Sequence, residues 1–239
     1  MTPPSRTLHL IPVGLGDAPL EQWLPGEAQA LAARLTTYIA ENAKTARAFL
    51  KLVGAVTPLR EITIHTLDAK TDPREIRQWL NDASVSEIGL VSEAGCPAVA
   101  DPGAKVAALA HDMGIRVVPW VGPSSILLAL MASGLDGQRF AFHGYAPVEA
   151  AQRARQLKQW ESDSARNHQT QIFIETPYRN EAMYTALIQT LKGNTRLCVA
   201  RALTTEHELI QSHAIAKWQA RSAPALHKHP TIFLFLAAH

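Results

Sequence analysis

The sequence reads as an α/β protein. Strand-like apolar runs alternate with helical stretches along nearly all of its 239 residues. Residues 88–126, IGLVSEAGCPAVADPGAKVAALAHDMGIRVVPWVGPSSI, form one complete strand-loop-helix-strand-loop unit, the element that builds a parallel sheet. Both of its loops follow the carboxyl ends of strands, where open α/β sheets hold ligands.

Each element has a local reason. TLHLIPVG (7–14) alternates and is β-rich, so it predicts the first strand. GLGDAPLEQWLP is a glycine turn with a short helical segment, and QALAARLTTYIAEN (29–42) joins a helix to a strand at TTYIAE. KTARAFLKLVG is an amphipathic helix stopped by Gly54. REITIHTL (60–67) is strand-like; in TDPREIRQWLND, Thr71 or Asp72 is the N-cap and Pro73 the first helical residue. SSILLALMASG (124–134) predicts a helix, RFAFHGY a strand and VEAAQRARQLKQWESDSA a long helix. TQIFIETP (170–177) is a strand, YRNEAMYTALIQTLKG a helix and TRLCVARALT a strand. EHELIQSHAIAKWQARS reads as mostly helical, and HPTIFLFLAAH as a closing strand. VVPWVGP (117–123) is the crossover between an N-terminal lobe, residues 1–119, and a C-terminal lobe, residues 120–239.

Composition excludes several classes. With 47% hydrophobic residues the chain can bury a sizeable core, yet no apolar run reaches the roughly 18–20 residues that span a bilayer. MTPPSRTLHLIPVG has no signal-peptide core, so a cytoplasmic location is expected, with no membrane partner. Cys96 and Cys198 lie far apart and predict no disulfide framework. No CxxC, HExxH or paired His/Cys cluster predicts a metal; His227 and His229 are the only closely spaced histidines. The net charge of +2 is uneven: residues 1–139 carry 12 Lys+Arg against 14 Asp+Glu, residues 140–239 carry 11 against 7. The basic second half, including RARQLKQW (153–160), could dock a polyanion or simply be a solvated helix face.

Five segments bear chemistry. GLGD (14–17) follows a strand but is neither a Walker loop nor a GxGxxG fingerprint, since Pro19 takes the third glycine position. SEAGCPAVADPG (92–103) is a rigid loop able to hold a polar small molecule through its backbone. In it, Glu93 and Asp101 either bind a ligand amine or cap turns, Asp101 being a candidate N-cap for the helix at 104–113. GPSS (122–125) puts hydroxyls at a helix N-terminus, suited to an anion or to capping. IETPYR (174–179) and VARALTTEHE (199–208) place Glu175, Arg179, Arg201, Glu206 and His207 along one edge of the second lobe.

The order VSEAGCPAVADPG, GIRVVPWVGPSSILLALMASGL, FAFHGYAP, IETPYR, VARALT closely resembles the tetrapyrrole-methylase superfamily of S-adenosylmethionine methyltransferases. Within it, the chain is most similar to the branch of the small-subunit ribosomal RNA methyltransferase I. The resemblance implies two α/β lobes of the tetrapyrrole methylase type, mainly parallel sheet in the N-terminal lobe and mixed sheet in the C-terminal lobe. It implies S-adenosylmethionine in the cleft between them, a homodimer, and 2′-O-methylation of a ribose in small-subunit rRNA. By position, Pro12, Leu15, Gly95, Cys96, Val99, Ser124, Ser125, Ala200, Arg201, Pro230 and Thr231 would bind the cofactor. Glu41 and Glu175 are the candidate general bases. Lys44, Arg47 and Arg179 would hold the substrate, with Arg179 and Arg201 able to grip phosphate or position a carboxylate.

The sequence departs from that branch in four places. AENAKTAR (40–47) stands where the branch has A-E-D-T-R-x-T-R; HTLDAKT (65–71) replaces a His-Glu-His-Asn-Glu loop; Ala202 replaces a glutamate; and the chain ends at its last strand-like run. The first two fall on the acceptor side. Two alternatives stay open: a methyltransferase for a tetrapyrrole or other small molecule, and a cofactor-binding regulatory protein without transferase activity.

Overall fold

The computed structural model describes residues 6–238. The chain forms two compact units, Met1–Ser124 and Ser125–His239.

The first unit is a parallel sheet ordered β3-β2-β4-β1-β5. Its strands are β1 (Thr7–Leu10), β2 (Thr37–Ala40), β3 (Thr63–Thr66), β4 (Glu87–Val91) and β5 (Arg116–Pro119). Four helices connect them: α1 (Gly26–Arg34), α2 (Ala43–Leu52), α3 (Pro73–Asn81) and α4 (Gly103–Asp112). A parallel sheet must be covered on both faces, and the side-chain alternation of each strand divides accordingly. Tyr38 and Ala40 pack with Leu31, Phe49 and Leu50 of α1 and α2. Ile39, between them, packs with Ile76, Leu80, Val106 and Ala110 of α3 and α4 on the other face. Asp72 caps α3 through the Arg74 amide at 2.8 Å, with Pro73 following it.

This topology places a switch point between β1 and β4. The connection leaving β1 runs toward β2 over the α1 face, and the one leaving neighbouring β4 runs toward β5 over the α4 face. Right-handed crossovers in opposite directions require opposite faces. The loops after β1 and β4 therefore diverge, leaving a crevice at their carboxyl ends.

The second unit holds a mixed sheet ordered β6-β7-β10-β8-β9. Its strands are β6 (Phe140–Tyr145), β7 (Thr170–Glu175), β8 (Arg196–Arg201), β9 (Leu209–Ala214) and β10 (Thr231–Leu236). Only β6 and β7 run parallel; every other pairing is antiparallel. Its helices are α5 (Ser125–Ser133), α6 (Ala150–Asn167), α7 (Asn180–Thr190) and the short α8 (Ile215–Gln219). Phe173, Phe233 and Phe235 centre a core closed by Leu157, Leu187 and Trp218. No helix among the described residues is long and apolar enough to cross a membrane.

One expected element is corrected. Residues 206–222 read as mostly helical, but Leu209–Ala214 is a strand and only Ile215–Gln219 is helical. Six residues of β8 pair antiparallel with it, from Arg196 opposite Ala214 to Arg201 opposite Leu209. That ladder satisfies backbone groups that β8 would otherwise present at a bare edge; tertiary pairing overrides local helix propensity.

Gly89 shows how tightly the first sheet is packed. A Cβ there would sit 2.5 Å from the Tyr38 ring, and Tyr38 cannot withdraw because its hydroxyl donates to the Ala32 carbonyl. Gly89→Ala is therefore expected to destabilise the protein by about 1–3 kcal/mol, the usual cost of overpacking. Urea denaturation monitored by circular dichroism would measure it, and a loss under about 0.5 kcal/mol would contradict the packing described.

Candidate functional site

The loops at the carboxyl ends of β1, β2, β4 and β5 converge at the switch point of the first unit. Val13, after β1, and Gly95, in the loop after β4, exchange two backbone hydrogen bonds: Val13 N to Gly95 O at 3.0 Å and Gly95 N to Val13 O at 3.1 Å. Beyond β5, Gly122 crosses directly over Pro12; a Cβ on Gly122 would lie 2.3 Å from the Pro12 Cβ. The Cys96 thiol donates to the Pro123 carbonyl at 3.3 Å, and burial pushes that thiol's pKa up. Leu15 lies against Gly95, its Cδ2 3.3 Å from where a Cβ would stand. Pro12, Leu15, Gly95 and Cys96 are thus brought together, with Val99 exposed on the same loop and Ser124 one residue beyond Pro123.

The 92–103 loop is held in an unusual backbone shape. Gly95, Ala98 and Ala100 all have positive φ, 73°, 68° and 62°. For alanine that region costs roughly 1–2 kcal/mol, and such strain persists only where the surroundings dictate it. Asp101 does so here. Its carboxylate accepts from the Ala98 amide at 3.0 Å through both oxygens and from the Gly103 amide at 2.6 Å. A Cβ on Gly103 would come within 2.8 Å of Asp101 Oδ1, so only glycine lets the chain wrap this closely. The expectation that Asp101 caps the following helix is corrected in detail: Pro102 takes the N-cap position without a side-chain bond, and Asp101 reaches the helix from one residue earlier.

Glu41 joins this group from the end of β2. Its Oε1 accepts from the Glu93 amide at 3.2 Å. Burial pushes its pKa up, the Glu93 amide opposes that, and the nearby Asp101 and Glu93 charges add to the rise. Asn42 follows as the N-cap of α2, its Oδ1 accepting from the Lys44 amide at 2.9 Å. Asparagine is among the residues that favour this capping position. Lys44 and Arg47 are exposed on the first turns of α2.

In the second unit, Glu175, Thr231 and Arg201 align in register across β7, β10 and β8. Ala200 pairs beside them with Ile232, and the Ala202 amide donates to the Pro230 carbonyl at 2.8 Å. Glu175 is fully buried in its side chain. Its Oε1 accepts from Arg179 Nε at 2.9 Å and from the Thr176 amide at 2.7 Å, whereas Oε2 meets no partner. Arg201 makes intramolecular contacts. Its guanidinium donates to the Ala225 carbonyl at 2.6 Å and to the His207 carbonyl at 2.8 and 3.1 Å. It staples two loops together. Arg179 pairs with the Glu175 carboxylate.

Of the non-glycine residues with positive φ among those described, five of six lie in loops of these two groups: Ala98, Ala100, Ala202, Thr204 and Lys228. None carries a sequence signal, because alanine, threonine and lysine give no hint of left-handed backbone. Removal of Asp101 should expose the strain at Ala98. Asp101→Ala is expected to cost about 1.5–3 kcal/mol, the range for hydrogen bonds to a charged acceptor. Thermal and urea denaturation would measure it; an unchanged midpoint would contradict the clamp.

Comparisons with known proteins agree with this architecture. Residues 7–217 match the family described as tetrapyrrole (corrin/porphyrin) methylases. The chain is 34% identical over 221 residues to a ribosomal RNA small subunit methyltransferase I of Xylella fastidiosa (strain Temecula1 / ATCC 700964), spanning 91% of this chain and 76% of that one. The protein of the same name from Mycobacterium tuberculosis (strain ATCC 25618 / H37Rv) is 32% identical over 199 residues, 81% and 67% of the two chains. For that of Neisseria meningitidis serogroup B (strain ATCC BAA-335 / MC58) the values are 31% over 180 residues, 75% and 59%. Among solved structures, the methyltransferase CobJ shares the fold with a TM-score of 0.61 at 18% identity, covering 98% of this chain and 94% of that one. A uroporphyrin-III-C-methyltransferase from Thermus thermophilus does so with 0.54 at 16%, covering 97% and 92%. The chain is a methyltransferase and belongs to the tetrapyrrole (corrin/porphyrin) methylase family.

Proposed function

We propose that the chain methylates a ribose 2′-hydroxyl of small-subunit ribosomal RNA, with S-adenosylmethionine as donor. The observation that carries this reading is the braced loop at the first unit's switch point, with the Glu41 carboxylate on its Glu93 amide and exposed Lys44 and Arg47 on the adjoining helix. The acceptor class is supported by the names of the relatives, ribosomal RNA small subunit methyltransferases I.

The first-unit residues fit such a donor. Left-handed Gly95, Ala98 and Ala100 turn backbone polar groups out of regular pairing, and Leu15 and Val99 offer apolar surface beside them. Glu41, Glu93 and Asp101 complement a cation: burial and mutual repulsion raise Glu41, and a positive charge nearby relieves both. Pro12, Leu15, Gly95, Cys96, Val99 and Ser124 would hold the donor there. Ser125, Ala200, Pro230 and Thr231 are assigned to it on resemblance in sequence alone. When bound, the donor supplies an electrophilic methyl group on a sulfonium.

The chain's own work is to align and to move one proton. Rigid positioning of two reactants supplies several kcal/mol of a barrier, and the Val13–Gly95 and Asp101 contacts provide that rigidity. Glu41 accepts the proton of the attacking hydroxyl; its raised pKa brings it closer to neutrality, where a general base works best. Glu175 is less suited, since Arg179 and Thr176 hold its carboxylate in a fully buried place. Lys44 and Arg47 contact the RNA backbone. Self-association into a homodimer is supported by exposed Met131, Tyr145 and Val148 of the second unit.

Transfer of labelled methyl from S-adenosylmethionine to purified 30S particles, with the label mapped to a 2′-O-methyl nucleoside, tests this reading. Glu41→Gln should lower kcat by about 10²–10⁴-fold with little change in KM. Because the base acts deprotonated, wild-type activity should be full above the raised Glu41 pKa and fall as pH drops through it. Methyl transfer confined to tetrapyrroles or other small molecules, or a Glu41→Gln variant as active as wild type, would contradict the proposal.

A further inference from the structure

His9 and Trp120 have been given no role so far, yet they form one end of a chain of side-chain contacts. His9 is 6% exposed. Its Nδ1 accepts from Trp120 Nε1–H at 3.1 Å, and its Nε2 faces Glu87 Oε1 at 3.1 Å. An indole nitrogen only donates. Nδ1 therefore carries no proton, and the ring is the neutral tautomer donating from Nε2 to Glu87. Both Glu87 oxygens are in turn gripped by Arg34, at 2.5 and 2.9 Å. Four side chains thus join α1, the start of β4, β1 and the end of β5.

The charges facing His9 come from three elements: Glu87 of β4, Arg34 of α1 and Arg116 of β5. Burial, with the two arginines, outweighs the carboxylate and puts the His9 pKa below its ordinary 6.5. A proton added at Nδ1 would point at the indole N–H. Two donors cannot share that contact, and one is left unsatisfied in the interior.

Trp120 is the root of the segment that covers the donor loops. Its amide donates to the Leu10 carbonyl at 2.9 Å. Two residues on, Gly122 crosses Pro12, and Pro123 receives the Cys96 thiol at 3.3 Å. We propose that His9 is a positioning residue for these loops: the neutral imidazole holds the Trp120 indole, the indole registers residues 121–123 against Pro12 and Cys96, and protonation of His9 releases that register. The effect on donor affinity rests on the assignment of these loops to S-adenosylmethionine; the effect on the loops themselves does not.

Two measurements on the full chain between pH 5 and 8 separate the two. The first is the rate at which N-ethylmaleimide modifies Cys96, normalised at each pH to a cysteine peptide. Cys198 is fully buried, so Cys96 is the fast-reacting thiol. The second is S-adenosylhomocysteine affinity by calorimetry. The normalised wild-type rate should rise as pH falls through the His9 titration, followed by imidazole NMR. At pH 8, Trp120→Phe should react about five-fold faster than wild type, the equivalent of one hydrogen bond, and the difference should vanish below the His9 transition. His9→Asn, which keeps an acceptor near Nδ1 and does not titrate, should stay slow throughout. Affinity should weaken in parallel with each of these changes. Cys96 rates that follow this pattern without any S-adenosylhomocysteine binding would uphold the positioning role and defeat the donor assignment. A wild-type rate flat across the His9 titration, or Trp120→Phe equal to wild type at pH 8, would overturn the proposal.

Discussion

Two backbone hydrogen bonds between Val13 and Gly95 hold the functional end of the first unit together. They cross the place where two neighbouring parallel strands send their chains to opposite faces of the sheet. Such a place is open by topology, because nothing in a right-handed crossover pattern fills it. Without a tie, the loops after β1 and β4 would be independent surface segments with many accessible conformations. The bridge turns them into one wall, and Gly95 permits it by adopting a backbone shape with φ of 73° that larger residues reach only at a cost.

The rest of the site leans on that wall. Asp101 holds Ala98 in the left-handed region by engaging its amide and that of Gly103, which fixes the loop to the start of α4. Cys96 and Gly122 fasten the segment beyond β5 to the same loop and to Pro12. Glu41 then meets the loop through the Glu93 amide. Burial raises the pKa of both Glu41 and Asp101, and the nearby Asp101 and Glu93 charges add to the rise at Glu41. Backbone strain and clustered negative charge thus meet in the same few residues.

How much of this the sequence revealed follows the kind of interaction involved. Strands buried on both faces and helices with clear caps were legible: IGLV became β4, Asp72-Pro73 opened α3, and Gly54 ended α2 with φ of 71°. The two loops of residues 88–126 were legible as irregular loops because glycine and proline follow strand ends there. Edge strand β9 was not legible, since its stability comes from pairing with β8 rather than from its own residues. The left-handed alanines were not legible either. Nor were the contacts of Arg201, whose guanidinium donates to the carbonyls of His207 and Ala225. These partners lie in loops whose positions depend on the fold.

Hydrogen exchange of the full chain with and without S-adenosylhomocysteine tests the central claim most directly. If the bridged loops form the methyl-donor site, saturating ligand should slow exchange of the amides at 93–100 and 13–15 by at least tenfold, about 1.4 kcal/mol of local stabilisation. The sheet core should change far less. Ligand binding with no added protection in these two loops would contradict the account.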